Sequence, residues 1–129
     1  MALFGRDPER LAVKAAAKQR TDAEAVRLMS IDLDELAAEA LPAFGEGGAK
    51  QARSGLGALM VANWIMTDYR GTGYLKELTP RIREAISRLQ VAGLVVLQPQ
   101  SERYFISEAG RRALQEGSTS DYLAGRLRA

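Results

Sequence analysis

Residues 33–44 place Leu33, Leu36, Ala37, Ala40, Leu41 and Phe44 at spacings of three and four, with Asp34, Glu35 and Glu39 between them. That is the rhythm of an amphipathic helix with one buried face, and Ser30 or Asp32 stands where its cap belongs. Upstream, Asp7 followed by Pro8 suits a helix start. Residues 9–20 are then rich in Ala, Lys, Arg and Gln, with only Leu11 and Val13 as sizeable apolar groups. Such a helix is weakly amphipathic and holds its place only by packing on another element. Thr21 or Asp22 offers a fresh cap before residues 23–29, so the pattern predicts three helices before the strongest breaker of the chain, Gly45-Glu46-Gly47-Gly48.

Beyond the breaker the rhythm changes. Residues 56–69 are apolar nearly all round, interrupted mainly by Asn63, which predicts a helix buried on every side, at the centre of the fold or between subunits. Arg70-Gly71-Thr72-Gly73 ends it. A short segment, 74–78, leads to Thr79-Pro80, a cap followed by a first-turn proline. The helix that follows puts Ile82, Ala85, Ile86 and Leu89 on one face and Arg81, Glu84, Ser87 and Arg88 on the other, with Arg83 flanking. Gly93 suits a left-handed stop. Two β-type runs, 94–97 and 103–106, flank the turn Gln98-Pro99-Gln100-Ser101-Glu102 and predict a hairpin. Ser107 then caps a helix with Ala109, Ala113 and Leu114 inward and Arg111 and Arg112 outward. Gly117-Ser118-Thr119-Ser120 breaks it, and residues 121–129 add a frayed, basic last turn.

Long apolar helix, short segment, basic-faced helix, hairpin, helix is the succession of a winged helix-turn-helix. Three stretches carry a resemblance: Leu78-Thr79-Pro80; Arg88-Leu89-Gln90-Val91-Ala92-Gly93-Leu94-Val95; and Tyr104-Phe105-Ile106-Ser107-Glu108-Ala109-Gly110-Arg111-Arg112-Ala113-Leu114. Together they resemble the MarR and PadR-like bacterial regulators over about half the chain. The resemblance implies a mainly α fold with a small β-hairpin, a winged helix-turn-helix preceded by an N-terminal helical extension. By position it makes residues 80–91 the recognition helix and residues 94–106 the wing, and implies a sequence-specific, double-stranded DNA-binding transcriptional regulator. Arg81, Arg83, Glu84, Ser87 and Arg88 would face or flank the major groove, where Arg forks onto guanine and Glu84 accepts from cytosine or holds a neighbouring Arg. Lys76 and Thr79 would meet phosphates, and Arg103 matches the family's wing arginine. The wing tip departs from the pattern, since it carries no other cation, and residues 1–45 align with nothing in the family.

Charge and composition narrow the chemistry. Fourteen of the 18 cations are Arg, whose planar fork suits phosphate and guanine edges, although a GC-rich genome favours Arg as well. The net charge of +2 divides into −3 over residues 1–48 and +5 over residues 49–129, which asks for a polyanionic partner of the second part. Accordingly the chain divides into an acidic helical segment for packing or dimerisation (1–48), the winged helix (49–117) and a basic tail (118–129). With no Cys and no His, there is no triad nucleophile, no Cys/His metal site, no redox pair and no imidazole switch. A non-enzymatic role with no catalytic residue, metal or cofactor is expected. Charges at Arg6, Asp7, Glu9 and Arg10 leave no apolar signal core, and the 11-residue apolar run 56–66 is too short to span a bilayer. A cytoplasmic protein with no membrane partner is the default.

Each candidate has a plainer reading. The charges at 81, 84 and 88 have the spacing of helix-stabilising pairs. Trp64, Met60 and Met66 suit a core better than an effector pocket. Gly71-Thr72-Gly73 lacks the Gly-Lys-Ser/Thr ending of a phosphate loop. Asp32, Asp34 and Glu35 suit a helix start better than a metal, and the Arg10, Lys14, Lys18 stripe is backed mainly by Ala, poor for insertion into lipid. The rival function is a winged-helix interaction module, subunit or adaptor of a larger complex. A homodimer is expected through the N-terminal helices or the Trp64 helix, and the N-terminal helices also suit another protein partner.

Overall fold

No glycine or proline interrupts the chain after Pro8 until Pro42, and the computed structural model, which describes residues 8–69 and 73–129, forms one 23-residue helix, α1 (Pro8–Ser30). The second N-terminal helix expected from Thr21 or Asp22 does not start there. Thr21 is buried and its hydroxyl donates to the Ala17 carbonyl at 3.0 Å, while Asp22 pairs with Lys18 one turn back at 3.2 Å. Both side chains are satisfied along the helix, so neither competes to end it. Asp7 and Arg70-Gly71-Thr72 lie outside the described residues.

α2 (Leu33–Ala40) follows the apolar rhythm, with Leu36, Ala37 and Ala40 buried, and tightens into a 3-10 turn at Leu41–Phe44. Pro42 has no N–H to continue an α-helical ladder. Asp32 stands at the N-cap position without a side-chain cap bond. The apolar run beyond residue 56 folds as a shorter helix than its composition implies. Leu56 pairs as an isolated antiparallel bridge with Tyr104, exchanging two backbone bonds of 2.9 Å, and α3 spans only Ala58–Ile65. It is buried on one side, through Val61 and Ala62; Leu59 on the other is 57% exposed.

α4 (Leu75–Val91) also departs from expectation, because it begins before Thr79-Pro80 and carries Pro80 inside it. Thr79 turns its hydroxyl back to the Leu75 carbonyl, and Pro80 sits on the exposed side, where water can take the bond that the ring cannot supply. Leu78, Ile82, Ala85, Ile86 and Leu89 line its buried face. α4 is the hub of the fold, packing on α1, α2, α3 and the first hairpin strand.

The chain then turns at Gly93 (φ +78°) into β1 (Val95–Gln98), antiparallel to β2 (Arg103–Ile106), with Val95 opposite Ile106 and Gln98 opposite Arg103. α5 (Glu108–Glu116) starts as expected: the Ser107 hydroxyl accepts from the Gly110 amide at 3.0 Å and donates to the Gly93 carbonyl at 2.6 Å. Gly110 is required by proximity, since a Cβ there would lie 2.2 Å from the Leu94 carbonyl oxygen. Ser107 and Gly110 thus clasp the start of α5 to the turn that begins the hairpin.

Gly117 stops α5 in the left-handed region (φ +64°), but the chain resumes at once as α6 (Thr119–Leu123), with Tyr122 buried. The expected frayed tail is tied back, because the Asp121 carbonyl accepts from the amides of Arg126 and Leu127. One hydrophobic core runs from Ala25 and Leu28 of α1 through α2, α3 and α4 to Ala113 and Tyr122. The division expected at residue 48 is therefore not a division in packing: residues 25–44 belong to the same core as the rest.

Candidate nucleic-acid interface

The face of α4 opposite the core is the natural place to look for the predicted contacts. Its exposed residues are Lys76, Glu77, Pro80, Arg83, Glu84, Ser87, Arg88, Gln90 and Val91. The cations expected there are in two different situations.

Arg81 does not face outward. Its guanidinium donates to the carbonyls of Leu28 and Ile31, both at 2.6 Å. Those carbonyls belong to the last turn of α1 and the residue just after it, where helical C=O groups lack amide partners and the helix dipole favours a cation. Arg81 therefore closes the end of α1 and locks it to α4, a correction to its placement beside a groove. Arg88 is exposed but occupied: Nη1 lies 2.8 Å from Asp34 Oδ1 on α2. The Asp34 carboxylate holds the Arg88 guanidinium above its ordinary pKa. Thr79 is half-buried and spends its hydroxyl on the Leu75 carbonyl, and Ser87 donates to the Arg83 carbonyl at 3.1 Å.

Arg83 and Lys76 remain exposed with no ion pair or hydrogen bond shown for their side chains. Glu77 and Glu84 lie beside them, so the exposed face is nearly balanced in charge rather than basic. Arg103 is half-buried on β2, opposite Gln98. The tip between the strands, residues 98–102, is wholly exposed, carries no cation and holds Glu102 in the left-handed region (φ +56°).

No protein-family model, curated protein or solved structure matches this chain. What its surface can do has to be read from the residues themselves.

Two features went unnoticed in the sequence. A cleft of about 590 Å³ between the 45–53 loop and β2 is lined by Lys50, Arg53 and Arg111 together with Glu46 and Phe105. Lys50 and Arg53 share one loop, but Arg111 lies some 60 residues further on, and no linear motif joins the three. On the other side, Val91 is 90% exposed at the end of α4 and borders a groove of about 750 Å³ with Tyr122, Leu123 and Leu127. Periodicity would have flagged only that Val91 falls off the apolar stripe of its helix.

The remaining candidates resolve as follows. Met66 is buried in the core and Met60 packs against it; Trp64, half-buried, packs on it and also borders a cleft with Glu24, Glu39 and Tyr69. Beside that cleft Arg27 bridges Glu24 and Glu39, each at 2.6 Å, tying α1 to α2 and holding the Glu24 carboxyl below its ordinary pKa. Among the described residues no group of acidic side chains is arranged to hold a metal ion, and no helix is long and apolar enough to cross a membrane. Asp34 is occupied by Arg88. Gly71 and Thr72 of the weighed phosphate loop lie outside the described residues.

Proposed function

We propose that the chain is a non-enzymatic, double-stranded DNA-binding transcriptional regulator of winged helix-turn-helix type. The observation that carries this reading is the order and pairing of elements: α2, the Leu56–Tyr104 bridge, α3, α4 and the β1–β2 hairpin, with α4 anchored by one face and its opposite face exposed, tied to α2 through the Arg88–Asp34 ion pair. A helix held this way can enter a major groove while the hairpin lies along the backbone. Within that reading the contacts narrow to Lys76, Arg83, Ser87 and Arg103. Arg83 is the base-reading candidate, through the guanidinium fork, and Lys76 a phosphate contact. Arg81 positions α4 rather than touching DNA, and Arg88 reaches DNA only by giving up Asp34.

With so few unpaired cations, affinity should fall gently with salt. About two phosphate contacts per chain, from Lys76 and Arg103, give a slope near −2 in log K against log salt. The test is enrichment of random double-stranded DNA on the full chain, followed by anisotropy over a salt series with the parent and Arg83→Ala. A selected sequence whose binding weakens at least tenfold in the variant is expected. No enrichment above input, or salt-independent retention, would overturn the reading.

A second reading, a winged-helix protein-interaction module, is favoured by one observation. The exposed α4 face is charge-balanced and ends at Val91, beside the groove lined by Tyr122, Leu123 and Leu127. Leu127→Asp, in that groove but off α4, separates the two, since it should abolish protein capture while leaving DNA enrichment unaltered.

A further inference from the structure

The first two and a half turns of α1, about nine residues, have almost no cover. Residues 8–16 are all exposed, and the helix carries Leu11, Val13, Val26 and Met29, four of the eight exposed large apolar side chains among the described residues. A half-helix this short is marginal in water without a surface to pack on. At 3.6 residues per turn, Leu11, Ala15, Lys18, Asp22, Val26 and Met29 fall within an arc of about 80°, beside the strip that Ala17, Thr21, Ala25 and Leu28 bury in the core. The stripe is about 27 Å long.

Its ends and centre are symmetric about position 20: Leu11 and Met29 lie nine residues to either side, Lys18 and Asp22 two to either side with opposite charge, and Ala15 and Val26 five and six. We propose that α1 pairs antiparallel with α1 of a second copy of this chain along this stripe, forming a two-fold homodimer. Antiparallel placement sets Leu11 and Ala15 of one copy against the apolar end of the other. At the centre it brings the Lys18–Asp22 pair, 3.2 Å apart within one chain, against its own inverse. Four charges then alternate in sign. A parallel pairing would instead set like charges against each other. Asp22 is already steered by the Tyr74 hydroxyl, which donates to its other oxygen at 2.5 Å, so the central carboxylate is held in place before the partner arrives.

A single pair of helical stripes is a small contact beside the roughly 1,000 Å² of a stable interface, so the dimer is expected to be a reversible one. The proposal stands independently of DNA binding, because it uses no residue of the α4 face.

Sedimentation velocity on the full chain over about a hundredfold range of concentration should show a monomer–dimer equilibrium. Lys18→Glu should weaken it at least tenfold, and Lys18→Glu combined with Asp22→Lys should restore it, with circular dichroism confirming that each variant is folded. Since the chain has no cysteine, orientation can be read directly. Leu11→Cys and Met29→Cys should each remain uncrosslinked alone and form a disulfide-linked heterodimer when mixed. A chain that is monomeric at every concentration, or a Leu11→Cys variant that crosslinks to itself as readily as the mixture does, would overturn the proposal.

Discussion

α1 and α4 are both long, charged helices with one apolar strip, yet the fold uses them in opposite ways. α4 buries Leu78, Ile82, Ala85, Ile86 and Leu89, and two of its arginines are turned inward or sideways to close the structure. α1 buries only Ala17, Thr21, Ala25 and Leu28, and leaves Leu11, Val13, Val26 and Met29 in water. The difference teaches that a cation on a helix face says little until its partners are known. Arg81 and Arg83 lie two residues apart; one caps a neighbouring helix and the other is free.

The largest test of that contrast is truncation. Leu89→Ala on α4 should cost about 3 kcal/mol in chemical denaturation, the usual result of emptying a buried leucine site. Leu11→Ala on α1 should change monomer stability by less than about 0.5 kcal/mol. A comparable loss at both positions would mean that α1 is covered in the monomer.

Arg81→Ala should cost about 2 kcal/mol, because two charge-assisted bonds to the end of α1 disappear. Hydrogen exchange should show the added opening concentrated in residues 25–31. If the opening is instead uniform, Arg81 does not act through α1. Ser107→Ala should cost about 1 kcal/mol, since both the cap of α5 and the bond to Gly93 are lost, a loss measurable by thermal melting.

The smallest effect is set by pH. The Tyr74 hydroxyl, and then Lys18, hold the Asp22 carboxyl below its ordinary pKa. A group depressed in the folded state contributes stability above its unfolded pKa and loses it as pH falls through the folded one. Through Asp22, the α1–α4 contact should therefore loosen on the acid side of the ordinary carboxylate range. Tyr74, raised by the same Asp22 contact, adds a matching loss at alkaline pH, above the ordinary phenol range. Titration followed by helix circular dichroism should show both limbs shrink in Asp22→Asn, whereas Arg83→Ala should leave the profile unchanged.

Much of the framework was legible in the residues. Apolar spacing located α2 and the buried face of α4, and turn chemistry located Gly93, the hairpin and the Ser107 cap. The stretches that resemble winged-helix regulators contain the clasp between Gly93, Ser107 and Gly110, a local structural role that says nothing of what is bound. Helix ends were less legible. Thr21, Asp22 and Pro80 are local stop signals, yet α1 and α4 run through them, because satisfied side chains and an exposed proline remove the reason to stop.

The candidate site was the least legible part. Sequence determines which side chains are available: guanidinium forks on α4, no imidazole, no thiol, and on α1 a stripe with Leu11 and Met29 at its ends and Lys18 and Asp22 at its centre. Only the tertiary structure decided how they are spent. Arg81 and Arg88 find partners some 50 residues away in sequence, and Lys50, Arg53 and Arg111 meet across a cleft. Periodicity reports which way a side chain points along its own helix. It carries no information on which carbonyl or carboxylate another element brings within 3 Å, and that distance is what separates a closing contact from a free charge.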